Sequence, residues 1–329
     1  MIPELLVVVD TEEDFDWSAP FSRSAVATRS IPAQARAHEI YDRLGVVPTY
    51  VVDYPVASDP VASGYLRTLL DAGKAEIGAH LHPWVTPPHA EEVNPRNSYH
   101  GNLPPELERA KIETITDAIR GAFGEAPTIF KAGRHGFGPH TAAFLAELGY
   151  KVDCSRLPYV DLRHDGGPDH RRAPAYPYWL DRPGGLLEVP PTVGFFGAAA
   201  GLAPRFGGLF DSRAAERLHL PGLLARAGLA ARSRLTPEGV SADEQCRLIA
   251  AMARRGHRTF SLVYHSPSLQ PGHTPYVRTE ADLAAFLTTL EKVLLFFRDR
   301  MGGRFTTISQ VYRDYSAARQ RGAADRLAA

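Results

Sequence analysis

Eight short apolar runs, separated by stretches of helical periodicity, constrain this chain most. They are LLVVVD (5–10), PTYVVD (48–53), AEIGAHLH (75–82), TIFKAG (128–133), KVDCS (151–155), LLEVP (186–190), TFSLVYH (259–265) and RFTTIS (304–309). Several are apolar on both faces, as strands of a parallel sheet buried under helices must be. Helical patterns fill most gaps, at about 32–44, 60–73, 105–123, 139–149, 241–256 and 279–300. Gly73, Gly124 and Gly149 fall where helix C-termini favour glycine, and Pro105-Glu106 suits a helix start. This alternation predicts one parallel α/β domain, a barrel or a doubly wound sheet.

Two stretches interrupt the alternation. Residues 84–104 are rich in Pro and Asn and read as a long loop over a site. Residues 191–240 are rich in Gly and Ala and read as an insertion of loops and short helices. The expected organisation is a catalytic domain over 1–318 that carries this insertion. A frayed or disordered tail follows over 319–329.

Charge and cysteine content narrow the function. Lys plus Arg number 37, as do Asp plus Glu, so no basic bias points to nucleic acid. The apolar run at the start, Leu5 to Val9, is too short for a signal-peptide core or a membrane span. A cytoplasmic protein acting on a small molecule or glycan is therefore expected. The two cysteines, Cys154 and Cys246, form no CxxC and support neither a thiolate zinc site nor a disulfide framework.

In parallel α/β folds, ligands gather at the C-terminal ends of the strands. Those ends carry Asp10, Glu12, Glu13, Asp14 and Asp16, then His80 and His82, then Arg134, Asp153 and His265. Acids, imidazoles and a guanidinium form the inventory of a divalent-metal hydrolase. Asp10 and Glu12 are two apart, so both carboxylates of an extended segment face one way. Pro83 disfavours helix at His82, so His80 and His82 also share a face and can bind one ion. Read singly, each motif also has a plain structural reading: a solvated acidic loop, hydrogen-bonded histidines, or an exposed turn arginine. His265 can act as general acid, with Asp153 as a candidate neighbour whose alternative partner is Arg134. Glu188 ranks lower, and His135 and His140 read as bystanders. His38, His89, His100, His164, His170, His219, His257 and His273 read as surface or loop residues, with His89, His100 and His273 available to substrate. Trp84, Tyr99, Tyr159, Tyr176, Tyr178, Trp179, Phe195 and Phe196 are aromatic residues that can stack on sugar rings or close a core.

The joint order of these motifs is more specific than any one of them. VDTEEDF, EIGAHLHPW, FKAGRHGFG, VDCSRLPY and YHSPSLQPG resemble, in order, the five motifs of the polysaccharide deacetylase family, the nodulation-type enzymes of carbohydrate esterase family four. The resemblance covers about 1–160 and 257–310, and points to a divergent branch with an HLHPW second motif. It implies a deformed (β/α) barrel of about seven parallel strands. It also implies a metal-dependent deacetylase that hydrolyses the N-acetyl amide of a sugar or glycan precursor with a metal-activated water. Asp10 then matches the base, Arg134 the residue that positions it, Asp153 the fourth-motif aspartate and His265 the acid. Glu12 matches the acidic metal ligand, with Glu13 and Asp14 as rivals, and His80 matches the first metal histidine. The implied cofactor is a divalent transition metal, Zn2+ first, with Co2+, Ni2+ or Fe2+ as alternatives.

Two departures stand out. The family's second metal histidine comes four residues after the first, where this chain has Trp84, so His82, or His89 from the loop, must serve. Asp10 and Glu12 are separated by Thr11 where many members have adjacent aspartates. Competing readings are a hydrolase of a linear or cyclic non-sugar amide on the same scaffold, a metal-free glycan-binding relative, and an amidohydrolase.

Overall fold

All eight apolar runs contain strands in the computed structural model, which describes residues 2–180, 185–203, 210 and 219–327. The strands are β1 (Glu4–Thr11), β2 (Thr49–Val52), β3 (Glu76–Leu81), β4 (Ile129–Ala132), β5 (Val152–Asp153), β6 (Tyr178–Trp179), β7 (Leu187–Glu188), β8 (Val193–Phe196), β9 (Ala231–Arg234), β10 (Thr259–His265) and β11 (Arg304–Phe305). The main sheet runs β10-β1-β2-β3-β4-β5-β7-β6. Its first seven strands are parallel, as expected, and β6 closes the edge antiparallel to β7. β11 pairs with the start of β1. The sheet curls into a half-barrel wrapped by helices, a deformed (β/α) barrel in a single α/β domain.

Strand alternation sorts the side chains into two cores. Leu5, Val7 and Val9 of β1 pack outward with Tyr50, Ala79, Leu81, Phe130, Leu262 and Tyr264 against the helices. Leu6 and Val8 point inward with Val51, Ile129, Val152, Cys154, Leu187 and Val189, and Ile308 and Val311 plug the base of this interior. By the same parity Asp10, His80, Lys131 and His265 lie on the inner face, at the C-terminal ends of their strands. Asp153 and Glu188 do not.

The helices end where the sequence says they should. Helix Pro105–Phe123 starts on a proline with Glu106 and Glu108 in its first turn, and stops at Gly124 with φ 88°. Helix Glu280–Leu295 is fixed by a capping box between Thr279 and Asp282. One element differs from expectation: RFTTIS is strand only at Arg304–Phe305, and a helix, Ile308–Leu327, begins within it and runs on into the segment after 318, whose last two residues lie outside the described ones. The 191–240 insertion contains the antiparallel pair β8–β9 and a helix Leu220–Arg226, while 204–209 and 211–218 lie outside the described residues. This insertion seals the free edge of β10. Thr192 N–H donates to Ser261 O (3.1 Å), Val263 N–H to Leu235 O (3.0 Å), and His265 N–H to Glu238 Oε1 (3.0 Å).

Candidate metal and catalytic site

The inner strand ends open into a cavity of about 750 Å3 lined by Asp10, Glu12, His80, His82, Lys131 and His265 among others. Glu12 leaves β1 with its N–H held by Ser266 Oγ (3.1 Å). Its Oε2 lies 3.6 Å from His80 Nε2 and 3.5 Å from His82 Nε2. Each ring is oriented through its other nitrogen. His80 Nδ1 bonds Lys131 O (3.1 Å), and His82 Nδ1 bonds Glu13 Oε2 (2.8 Å). Both Nδ1 atoms therefore donate, which leaves both Nε2 lone pairs aimed at one point beside Glu12, the arrangement by which outer partners orient metal ligands. Gly133 makes room for it. A Cβ there would press on the His82 ring and sit 2.6 Å from Leu81 O.

The charge balance fits a cation. Asp10, Glu12, Glu13 and Asp53 are all buried within this cluster. Burial, reinforced by Glu13 and Asp10, pushes the Glu12 carboxyl well above its usual range. Burial also pushes Glu13 up to about 7, although bonds from Asp53 and Trp84 oppose it. Burial lowers the His82 pKa to about 4 and holds His80 well below its ordinary value, so both rings are neutral, as ligands must be. Glu12 Oε1 and Asp10 Oδ1 are buried without a hydrogen-bond partner. Unpaired buried carboxylates are costly, and a divalent ion at Glu12, His80 and His82 would remove that cost at Glu12. Glu13, Asp53 and His82 form an adjacent trio. There Glu13 is already engaged by Trp84 Nε1 (2.8 Å) and His82, and Asp53 Oδ2 accepts from Glu13 N–H (2.7 Å), so these carboxyls act as a brace.

Asp10 and His265 are register partners on β1 and β10, with Asp10 Oδ2 3.8 Å from His265 Nε2. Lys131 donates a short, buried hydrogen bond to Asp10 Oδ2. Burial alone would raise the Asp10 carboxyl, but Lys131 and His265 outweigh it and hold it below its ordinary value. Burial alone would lower His265, but Glu238 and Asp10 raise it. Glu238 grips His265 at both N–H and Nδ1 (3.0 and 2.8 Å) and accepts from Ser268 Oγ (2.6 Å). An ionised carboxylate next to a protonation-prone imidazole is a base and acid set for opposite tasks.

Several expected residues fall elsewhere. Arg134 does not reach Asp10. Two left-handed residues in succession, Arg134 (φ 54°) and His135 (φ 59°), turn its side chain toward Asp165, Ser98 and the rings of Tyr99 (4.2 Å) and Phe21 (5.0 Å). Lys131, which is not among the residues expected from the sequence, stands at Asp10 instead. Asp153 points away from the interior, where its carboxyl meets Glu188 and accepts from Ser155 Oγ (2.5 Å). Glu238 takes the place expected of Asp153 beside His265. Asp14 faces Ser30 N and His273. His89 is exposed and outside the cavity lining. His38, His100 and His170 are buried rather than on the surface, paired with Tyr50 (2.8 Å), Glu108 (3.1 Å) and His135 O (2.9 Å). His135 lines the cavity, with its ring on Ser155 O (2.9 Å). Among the aromatic residues, Trp84 stacks on His82 (4.2 Å) and Tyr99 lines the cavity, whereas Tyr159 packs on Phe195 (5.1 Å) and Trp179 on Tyr312 (5.9 Å). Phe15, Trp17, Phe21 and Tyr276 complete the cavity's aromatic wall.

Of the two missed residues, Lys131 carries a signal in the sequence. A lysine inside the apolar run TIFKAG, two residues from its end, is a charge on a buried strand and needs a buried partner. Glu238 gave no such signal, because it meets His265 only through the folding of the insertion onto β10.

No protein-family model matches the sequence, and comparison with curated proteins finds no relative. Solved structures do resemble it. A candidate polysaccharide deacetylase from Mycobacterium smegmatis superposes with a TM-score of 0.56 at 17% identity, covering 96% of this chain and 91% of that one. An allantoinase, Puue, superposes at 0.55 and 16%, covering 95% and 90%. A second candidate polysaccharide deacetylase, from Pseudomonas aeruginosa PAO1, superposes at 0.54 and 16%, covering 94% and 89%. Over nearly its whole length, then, this chain has the polysaccharide deacetylase fold, which the allantoinase shares.

Proposed function

We propose that this protein is a metal-dependent deacylase that hydrolyses the N-acetyl amide of a small sugar or glycan precursor. One observation carries the reading: Glu12, His80 and His82 converge on one point in the same cavity as the Asp10–His265 pair. A divalent ion held by Glu12, His80 and His82, Zn2+ first and Co2+, Ni2+ or Fe2+ as alternatives, would supply Lewis-acid polarisation of the acyl carbonyl and a more acidic water. Asp10, kept ionised by Lys131, takes the proton of the attacking water. His265, whose protonated form Glu238 favours, gives its proton to the departing amine nitrogen. Trp17, whose ring meets His265 edge-on at 4.8 Å, limits water around that proton. Free thiols at Cys154 and Cys246 suit a cytoplasmic setting.

A second reading uses the same residues on a compact linear or cyclic amide. The enclosing aromatic wall and a cavity of about 750 Å3, sized for a small molecule, favour considering it. The test is amine release from N-acetylated sugars beside ring opening of cyclic ureides, for wild type and His265→Ala. Acetate and free amine from the sugars, lost in the variant, support the first reading. Ring opening alone supports the second, and neither activity in the metal-loaded protein refutes both.

A further inference from the structure

His135 follows β4 into the turn above the metal and acid–base groups, half-buried and lining the same cavity as Asp10 and Lys131. With Arg134 it forms a pair of consecutive left-handed residues, neither of them glycine. Such a turn is strained and persists only where its surroundings hold it. Three bonds do so here. His170 Nε2 donates to His135 O (2.9 Å), Gly136 N–H donates to Gly133 O (3.0 Å), and the His135 ring bonds Ser155 O (2.9 Å) through Nδ1. Ser155 is fixed in turn: its Oγ accepts from Ala132 N–H (2.7 Å) and donates to Asp153 Oδ1 (2.5 Å). Asp153 thus braces the His135 ring from behind.

The bracing also sets what the ring offers the cavity. A carbonyl oxygen only accepts, so Nδ1 carries the ring proton and Nε2 presents a lone pair. Nε2 has no partner among the described residues and is not sealed off by them. Burial pushes the imidazole well below its ordinary pKa, and the Lys131 charge adds to this against the pull of Asp10, so the ring is neutral. His135 is therefore a fixed acceptor on the cavity wall. Water satisfies such a lone pair in a free site, and a ligand that covers it without offering a donor leaves it unpaired. The scissile nitrogen must meet His265 on β10, which β1, β2 and β3 separate from β4 in the sheet. The donor for His135 is then a different group of the substrate.

We propose that His135 is a specificity-determining residue whose Nε2 accepts a hydrogen bond from a hydroxyl of the substrate. This inference rests on the deacylase reading and narrows it to N-acyl substrates that place a hydroxyl at this wall, over amides that carry none.

Equilibrium binding of N-acetylglucosamine and its 3-deoxy, 4-deoxy and 6-deoxy analogues to the zinc-loaded protein tests it, in wild type, His135→Asn and His135→Gly. Asparagine tolerates the left-handed backbone and is too short to replace the ring, and glycine relaxes the backbone outright, so both variants should fold and hold zinc as wild type does. In wild type, removal of one hydroxyl should weaken binding about three- to tenfold, the worth of a neutral hydrogen bond. Removal of that same hydroxyl should cost neither variant anything, while the other two deoxy analogues should show equal losses in all three proteins. Equal binding of all four sugars by wild type, losses that are the same in wild type and variants, or no binding of N-acetylglucosamine at all would overturn the proposal. Amine release is followed separately. Coupling between His135 and one hydroxyl without turnover would refute the deacylase reading and leave the contact standing. Turnover without that coupling would refute the contact alone.

Discussion

Lys131 on β4 forms a buried ion pair with Asp10 on β1, reaching past β2 and β3, which lie between them in the sheet. Only a curled sheet brings inward side chains of strands so far apart together. The pair thus ties the fold's curvature to the base it positions. Lys131→Met leaves Asp10 buried without its cation, which costs ~3–5 kcal/mol of stability for a broken buried pair. It should also lower kcat/KM roughly 10²-fold or more through the base, with metal content retained. Denaturation and steady-state rates of the same preparation check both; an unchanged rate would remove Lys131 from the site.

Arg134→Ala should behave differently, because Arg134 holds Asp165, Ser98 and Tyr99 rather than Asp10. Metal content should stay the same and kcat should change by less than about tenfold, with the effect falling mainly on KM as the loops it ties loosen. A loss of kcat as large as that of Asp10→Asn would show that Arg134 swings to the base in the working enzyme.

Glu238→Gln tests the acid. Burial lowers the His265 pKa, and Glu238 is the larger of the two charges that raise it above its ordinary value. Removing that charge lets burial prevail, so the alkaline limb of the kcat/KM profile should move to lower pH. The stability that the raised His265 contributes is present below about pH 6.5. It fades as pH rises through the higher folded value, so the stability gap between wild type and variant should narrow at alkaline pH. An unmoved alkaline limb would assign that limb to another group.

Gly133→Ala probes the packing of the metal histidines. The added methyl group would force the His82 ring from its place against Glu13. Metal affinity should fall about 10- to 100-fold, the usual cost of disturbing an outer partner of a ligand. Competition with a chelator measures it, and His89→Ala, altering an exposed residue, should leave affinity unchanged.

The fold was legible because strand identity rests on local patterning. Each apolar run of both-face type became a strand, and LLVVVD and TFSLVYH pair side by side. Asp10, Glu12, His80, His82 and His265 were legible as candidates because period-two spacing at strand ends places them on one face. Asp153 was misplaced by parity: it lies one residue off the inner face, next to Cys154. Arg134 was misplaced because two consecutive left-handed residues redirect its turn, which no local pattern announces. Glu238 was invisible because its contact with His265 spans 27 residues and depends on how the insertion folds. The start of the helix Ile308–Leu327 was missed because its buried positions among the described side chains, Ile308 and Val311, sit in its first turn and leave a polar, alanine-rich remainder.

The most direct test of the account is elemental analysis of purified wild-type protein beside His80→Ala/His82→Ala. Wild-type protein should hold close to one transition metal per chain, lost in the double variant, while His265→Ala keeps its metal and loses turnover. Wild-type protein that takes up no metal after incubation with zinc or cobalt, or a double variant that keeps its full complement, would contradict it.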